Sequence, residues 1–374
     1  MFLRLLAYYI YFRVIINMAK SIICEKEDIY YSGQYWNDFP LVLEYMSENF
    51  TGDKYKWWVQ DFKDRYAQVP YEKGLFLNCG NGWVERDFID KKIVKKAYAF
   101  DYSFKLLKIA EKGKDLRPIY YFRTDVNKID FCDNEFDLVV NVAALHHVQY
   151  INRLCHILCA SLKTDGTFVN FDYIGPHRNQ YSLKHWFFLQ QVNNLLPKKY
   201  RKKGLLRPHL PTMLVNDPTE AIHSELIIET VSRYFDILER HDTGGGIGYE
   251  LLTHNEALID KDPYELDKQI EFILSKDQIY TEQNRVPVLF SCFITRPKKE
   301  VLNDGEKLKS YQLLEEKREQ DASKRGGVYS TRDYIVVWLN KIQQLKIHKI
   351  VKALIMYIGH VFVFPNNGKM SNRN

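Results

Sequence analysis

Apolar positions along this chain fall into short runs separated by amphipathic stretches. Gly74–Leu77 is an apolar run with strand character, followed by a helical stretch from Trp83. A strand at Lys96–Phe100, a helix over Ser103–Lys112 and a strand at Ile119–Phe122 come next, then strands at Phe136–Asn141 and Gly166–Phe171 with the helical run Gln149–Leu162 between them. Strands separated by helices of this length predict a parallel sheet with crossover helices. Ahead of them, 34–69 is rich in Trp, Tyr, Phe and charge. It predicts a helical cap with Leu41, Leu43, Tyr45 and Met46 toward a core.

The rhythm breaks after Gly175-Pro176, and a long helical and loop pattern intervenes before a β-like run at Tyr234–Arg240. That insertion sits where a substrate lid would. Arg285–Arg296 reads as a late strand, able to form an antiparallel edge pair with Tyr234–Arg240, and Pro297–Gly327 reads as a solvated helix or linker. No internal repeat is visible. The predicted organisation is an N-terminal extension and cap (1–70), an α/β domain (71–296, lid at about 175–233), a charged linker (297–330) and a tail (331–374).

Charge changes the picture mainly at the C-terminus. The formal net charge is +6, and after Asp333 five lysines and Arg373 occur with no acidic residue. Lys341, Lys346, Lys349 and Lys352 alternate with apolar residues, which suits a basic amphipathic helix on an anionic membrane or a face docked on protein. The apolar stretch Leu5–Phe12 is too short to span a bilayer, is bracketed by Arg4 and Arg13, and leaves Met18 as an alternative start. The six cysteines form no CxxC pair, so the expectation is a reducing cytoplasm, with membrane association through the tail as an addition. Cys155, His156 and Cys159 have helical spacing in an apolar setting and read as buried thiols, and no metal is predicted.

Candidate chemistry gathers where strands end. The first strand runs into Asn78-Cys79-Gly80-Asn81-Gly82 and then a helix, a turn that lets a ligand approach the main chain at a helix N-terminus. Asp101 lies at the end of the next strand, where a carboxylate accepts hydrogen bonds from ribose hydroxyls or caps the following helix. Asp125 closes the third strand, with Val126 placed to meet an adenine edge. Three such positions on one sheet edge fit binding at a topological switch point.

Gly74–Gly82, Ala99–Ser103, Arg123–Asn127 and Phe136–Val148 resemble the successive motifs of class I S-adenosylmethionine-dependent methyltransferases. The resemblance implies a Rossmann-like α/β fold, with a seven-stranded, mostly parallel sheet carrying helices on both faces. It also implies S-adenosyl-L-methionine as cofactor. Methionine-end contacts would come from Asn78, Cys79, Gly80, Asn81 and Gly82, ribose contacts from Asp101 with Tyr102 beside it, adenine contacts from Asp125 and Val126, and Asn141 would line the pocket near the sulfonium. DYIGPHRNQ, NDPTEAIHS and TGGG further resemble a bacterial subgroup associated with surface polysaccharides. Two positions depart from the family pattern: Phe76 replaces the usual acidic residue of the first strand, and Asn78 replaces the first loop glycine. Asn tolerates left-handed geometry; the missing carboxylate leaves the cofactor's ammonium group in need of another partner.

His146 and His147 would deprotonate an acceptor or pack as structural imidazoles, and Asp172, Tyr173 and Arg178 would orient the acceptor. His241, Asp242 and Gly244–Gly246 lack a following Walker lysine and read as a flexible loop near the lid. The expected activity is methyl transfer to O or N of a small molecule, sugar or glycan precursor. The alternative is a degenerate fold that binds a partner or membrane. A nicotinamide dehydrogenase lacks its third fingerprint glycine, since Trp83 and Val84 follow Gly82. A nucleic-acid methyltransferase lacks a basic stripe outside the tail.

Overall fold

The structure is a computed structural model describing residues 34–326, apart from 209, 211–212, 214–216, 218 and 260. The apolar N-terminal segment and the basic tail lie outside the described residues. The chain divides into units Met1–Asp321 and Ala322–Asn374, and 322–326 are the described part of the second.

Two cap helices come first: α1 (Pro40–Thr51), begun by a proline in its first turn and ended at Gly52 with φ 76°, and α2 (Trp58–Tyr66). Then follow β1 (Tyr71–Leu77), α3 (Trp83–Asp90), β2 (Val94–Asp101), α4 (Phe104–Gly113), β3 (Ile119–Arg123), β4 (Phe136–Val142), α5 (Ile151–Ser161) and β5 (Leu162–Tyr173). The rest comprises α6 (Leu183–Leu195), α7 (Ile227–Tyr234), β6 (Phe235–Gly244), α8 (Gly248–Leu252), α9 (Pro263–Glu282), β7 (Phe290–Pro297) and α10 (Gly305–Gly326). The seven strands form one sheet in the order β3-β2-β1-β4-β5-β7-β6. β1 to β5 pair in parallel, while β7 runs antiparallel to both of its neighbours. This is the expected Rossmann-like α/β sheet, with its order reversing between β1 and β4.

Side-chain alternation divides the core into two layers. Phe76, Val140, Val169 and Ile294 face one layer with the cap, α3 and α6, whereas Leu75, Leu77, Val139, Phe168 and Phe293 face the other with α5 and α7. Phe88 of α3 is wedged between Trp58, Phe62 and Phe76, with ring centroids 5.9, 6.2 and 5.4 Å away. Burying a phenylalanine contributes roughly 1.5–3 kcal/mol, so this cluster fixes the cap against one face of the sheet.

Several expectations change. Leu43 does not join the core but is 38% exposed, because it lines an open cavity beside Met46 while Val42 packs inward. The lid insertion contributes to the core through Leu189 and Val192 of α6. The charged segment after Pro297 is more than a solvated linker at its start: Leu308 and Tyr311 pack on the second layer, and the Glu315 carboxylate accepts from the Asn152 backbone at 2.7 Å. Helix α9 was not anticipated, although Asp262 caps it by accepting from Glu265 N and Pro263 opens it. No described helix is long and apolar enough to cross a membrane. Cys155 and Cys159 are buried free thiols, both pushed upward in pKa by burial.

Candidate active site

The turn after β1 adopts left-handed geometry at Asn78 (φ 43°), Gly80 (φ 57°) and Gly82 (φ 81°), so Asn78 accommodates the position where a glycine is usual. Asp101, at the end of β2, pins this turn: one carboxylate oxygen accepts from Gly80 N at 2.9 Å and the other from Ser103 N at 2.8 Å. The cap of α4 is Ser103, whose hydroxyl accepts from Leu106 N at 3.3 Å. Asp125 makes a similar turn, accepting from Asn127 N at 2.9 Å.

These strand ends enclose a cavity of about 670 Å3 lined by Asn78, Cys79, Gly80, Asp101, Tyr102, Asp125 and Val126. Three expected cofactor residues fall elsewhere. Asn141 is fully buried in β4 rather than lining the cavity, because its amide donates to Asn170 Oδ1 at 2.7 Å and Asp172 Oδ2 at 2.6 Å; Val140 and Val142 line the wall instead. Asn81 faces a second cavity. Gly82 is set by packing, since a Cβ there would collide with the Tyr121 hydroxyl and lie 2.8 Å from Ala110 Cβ.

The second cavity, about 640 Å3, shares Asn37, Trp83, Val142 and Ala143 with the first. Ala143 takes φ 53° at this junction, a costly conformation for a residue with a Cβ and one that clusters at functional sites. Aromatic side chains dominate the wall, among them Trp36, Trp57, Tyr173 and Phe290.

His146, Asp172 and Tyr173 also line the second cavity, whereas His147 lines the first. Asp172 is a hub: its carboxylate accepts from Asn141 Nδ2, Ala144 N, Leu145 N and Tyr173 N, and meets His146 Nδ1 at 2.5 Å. Burial depresses the His146 pKa, but the adjacent Asp172 carboxylate outweighs it and the net shift is upward. The His147 pKa is lowered by burial and by His146 beside it. The rings lie 4.1 Å apart, and Glu220 Oε2 stands 3.9 Å from His146 Nε2 and 3.8 Å from His147 Nε2, a grouping compact enough to hold a cation. Arg178, expected to orient an acceptor, lines neither cavity. It fastens the loop carrying Glu220, with its guanidinium donating to Glu220 O at 3.2 Å and its backbone N to Ala221 O at 2.7 Å.

The Gly244–Gly246 segment is not a flexible loop. Gly245 N, Ile247 N and Gly248 N donate to the buried carboxylate of Asp277, which fills the anion-binding turn from within the protein. His241 and Asp242 are part of β6.

Residues 75–170 match the model of the methyltransferase domain family. The human protein named arginine-hydroxylase NDUFAF5, mitochondrial, is 27% identical over 157 residues, 41% of this chain and 42% of that protein; its mouse counterpart is 26% identical over 181 residues, 48% and 47%. The chain thus spans less than half the length of these relatives. Among solved structures, an S-adenosylmethionine-dependent methyltransferase from Mesorhizobium loti aligns with TM-score 0.39 and 18% identity, over 61% of this chain and 91% of its own. YcgJ from Bacillus subtilis aligns with TM-score 0.38 and 16% identity, over 64% and 97%.

The methyltransferase domain implies S-adenosyl-L-methionine as cofactor, and the residues of the first cavity fit it. The lining carries Glu85, Asp101, Asp125 and Asp217 and no described lysine or arginine. That charge suits a cationic sulfonium and ammonium ligand and opposes the pyrophosphate of a nicotinamide dinucleotide.

Sequence reasoning missed Glu85 and Glu220. Glu85 carried a signal, since Val84, Glu85 and Phe88 share one helical face and the carboxylate is carried into the interior with its apolar neighbours. Glu220 lies within NDPTEAIHS, a stretch singled out only for its resemblance to a subgroup, and it reaches the site because the insertion folds back to His146.

Proposed function

We propose that this protein transfers a methyl group from S-adenosyl-L-methionine to an oxygen or nitrogen of a small molecule, with a sugar or glycan precursor as the favoured class. The observation that carries this reading is the pair of adjoining cavities, one acidic at the strand ends and one aromatic with an imidazole on its wall. Aromatic faces suit the apolar face of a sugar ring, and no described lysine or arginine lines the second cavity to select an anionic acceptor.

When bound, the cofactor supplies an electrophilic methyl group. Asn78 to Gly80 would cradle its amino-acid end, Asp101 and Tyr102 would hold the ribose, and Asp125 and Val126 would meet the adenine. In the second cavity, His146 would take up the acceptor's proton at Nε2. Asp172 orients the ring through Nδ1 and stabilises the imidazolium, and Tyr173 shapes the cavity. Alignment of the two cavities across Ala143 supplies the proximity on which such a displacement depends.

Calorimetric titration with S-adenosylhomocysteine and with NADH tests the reading. Saturable binding of the first alone is expected, and binding of NADH alone would sink it. The hydroxylase name of the human and mouse relatives supports a second reading, in which the same paired cavities host a different reaction on a bound substrate. Transfer of labelled methyl to a glycoside acceptor separates the two.

A further inference from the structure

We infer that Glu85 binds the α-ammonium group of the cofactor, replacing the carboxylate that Phe76 displaces from the end of β1. The inference rests on the cofactor reading above. Phe76 lines the cofactor cavity where an acid is usual, and it is itself committed to packing against Phe88. Glu85 sits in the first turn of α3, three residues beyond Gly82, fully buried and also lining that cavity.

Its carboxylate is an anomaly within the protein. Neither oxygen has a hydrogen-bond partner of good geometry among the described residues, and burying an unpaired carboxylate is strongly unfavourable. The buried Tyr121 hydroxyl stands beside it and interacts with it, but it is neutral and no counter-ion. Arg86, the adjacent cation, donates to Asn81 O at 2.8 Å. A Cβ placed on Gly82 would lie 2.8 Å from Glu85 Oε1, so the carboxylate rests directly against the glycine turn. An acid buried in this way, on the wall of a cavity and without a counter-ion among the described residues, calls for a cation carried by the ligand. The only permanent cations of the cofactor are its sulfonium and its α-ammonium, and it is the ammonium end that the turn beside Glu85 cradles.

Burial pushes the Glu85 carboxyl up to about 7; Tyr121 and Arg86 oppose the rise in part and Asp101 adds to it. Near neutral pH the ligand-free carboxyl is therefore partly protonated, and binding of an ammonium ion draws it to the ionised form with release of a proton.

The test titrates the full chain with S-adenosylhomocysteine and with its deamino analogue, in which hydrogen replaces the α-amino group. Glu85→Gln is expected to weaken the first tenfold or more, as loss of a charge-assisted hydrogen bond does, and to leave the second within about twofold. Wild type is expected to release a proton on binding S-adenosylhomocysteine at pH 6.5, read from calorimetry in buffers of different ionisation heat, and not on binding the analogue. This readout stands even if the variant fails to fold. Equal losses for the two ligands, or no loss for either, would overturn the assignment and leave Glu85 a structural residue. Wild-type protein that binds neither ligand would overturn the cofactor reading itself.

Discussion

Replacing Asp277 with Ala should remove a large share of the protein's stability while sparing the cofactor cavity. The carboxylate is fully buried on α9 and accepts from Gly245 N at 2.9 Å, Ile247 N at 2.5 Å, Gly248 N at 2.9 Å and Tyr45 Oη at 2.8 Å. Truncation leaves four donors in a dry interior, each costing about 1–3 kcal/mol when orphaned. Water entering the vacated space relieves part of that cost, and the net expectation is about 4 kcal/mol, the scale of breaking a buried charged contact. Against a total stability of about 5–15 kcal/mol, such a loss is visible in equilibrium urea denaturation. Trp36, stacked on Phe290 at 5.1 Å, offers a fluorescence signal beside the loop. Tyr45→Phe removes one donor of the four and should cost about 1 kcal/mol. S-adenosylhomocysteine affinity should survive in both variants, because neither Asp277 nor the loop it holds lines the first cavity. An Asp277→Ala protein within about 1 kcal/mol of wild type would refute the view that this carboxylate holds the loop.

Four further expectations follow from the site. Asp101→Ala should lower S-adenosylhomocysteine affinity at least about tenfold and keep the native circular dichroism spectrum; full affinity would remove Asp101 from the ribose site. The methyl-transfer rate should climb as pH rises through a His146 value held above the ordinary histidine range, since the base must be neutral. Asp172→Asn leaves burial dominant, with Glu220, Asp217 and His147 still facing the ring, so the acidic limb should move to lower pH; an unmoved limb would count against His146 as base. By linkage, the His146–Asp172 contact adds stability below the ordinary histidine pKa and loses it as pH rises through the raised value, which melting temperatures across that range would reveal. Gly82→Ala should destabilise by about 2 kcal/mol or more, from left-handed strain plus the clash with Tyr121 and Ala110, and an unchanged urea midpoint would contradict the packing role given to Gly82.

The strand–helix alternation and the glycine turn were legible because each depends on local periodicity or on residues adjacent in the chain. β1 to β5 lie where apolar runs predict them, extended by a few residues into positions such as Tyr71 and Leu162 where sheet pairing continues past the apolar run. The cavity-lining residues at the ends of β2 and β3 were legible for the same reason. What stayed hidden depends on distant partners. Asn141 stands at a strand end like Asp101, yet Asn170 and Asp172 on the neighbouring strand turn it into the sheet. The TGGG turn looks mobile until Asp277, more than thirty residues on, is brought beneath it. Glu220 joins the wall of the second cavity through an insertion whose path over the sheet local periodicity does not encode.

The placement of β7 has a consequence for how the chain is made. β5 pairs with β7 through contacts such as Asn170 with Phe293, and β6 has β7 as its sheet neighbour. The first five strands can therefore assemble as they leave the ribosome, but β6 emerges with no strand to join and must wait for more than forty further residues. During that interval one edge of β5 and both edges of β6 are unsatisfied, the state in which strands pair wrongly with other chains. Expression yield is thus expected to respond more sharply to substitutions within Phe290–Pro297 than to equally buried changes in β1 to β4, even where the finished proteins are equally stable.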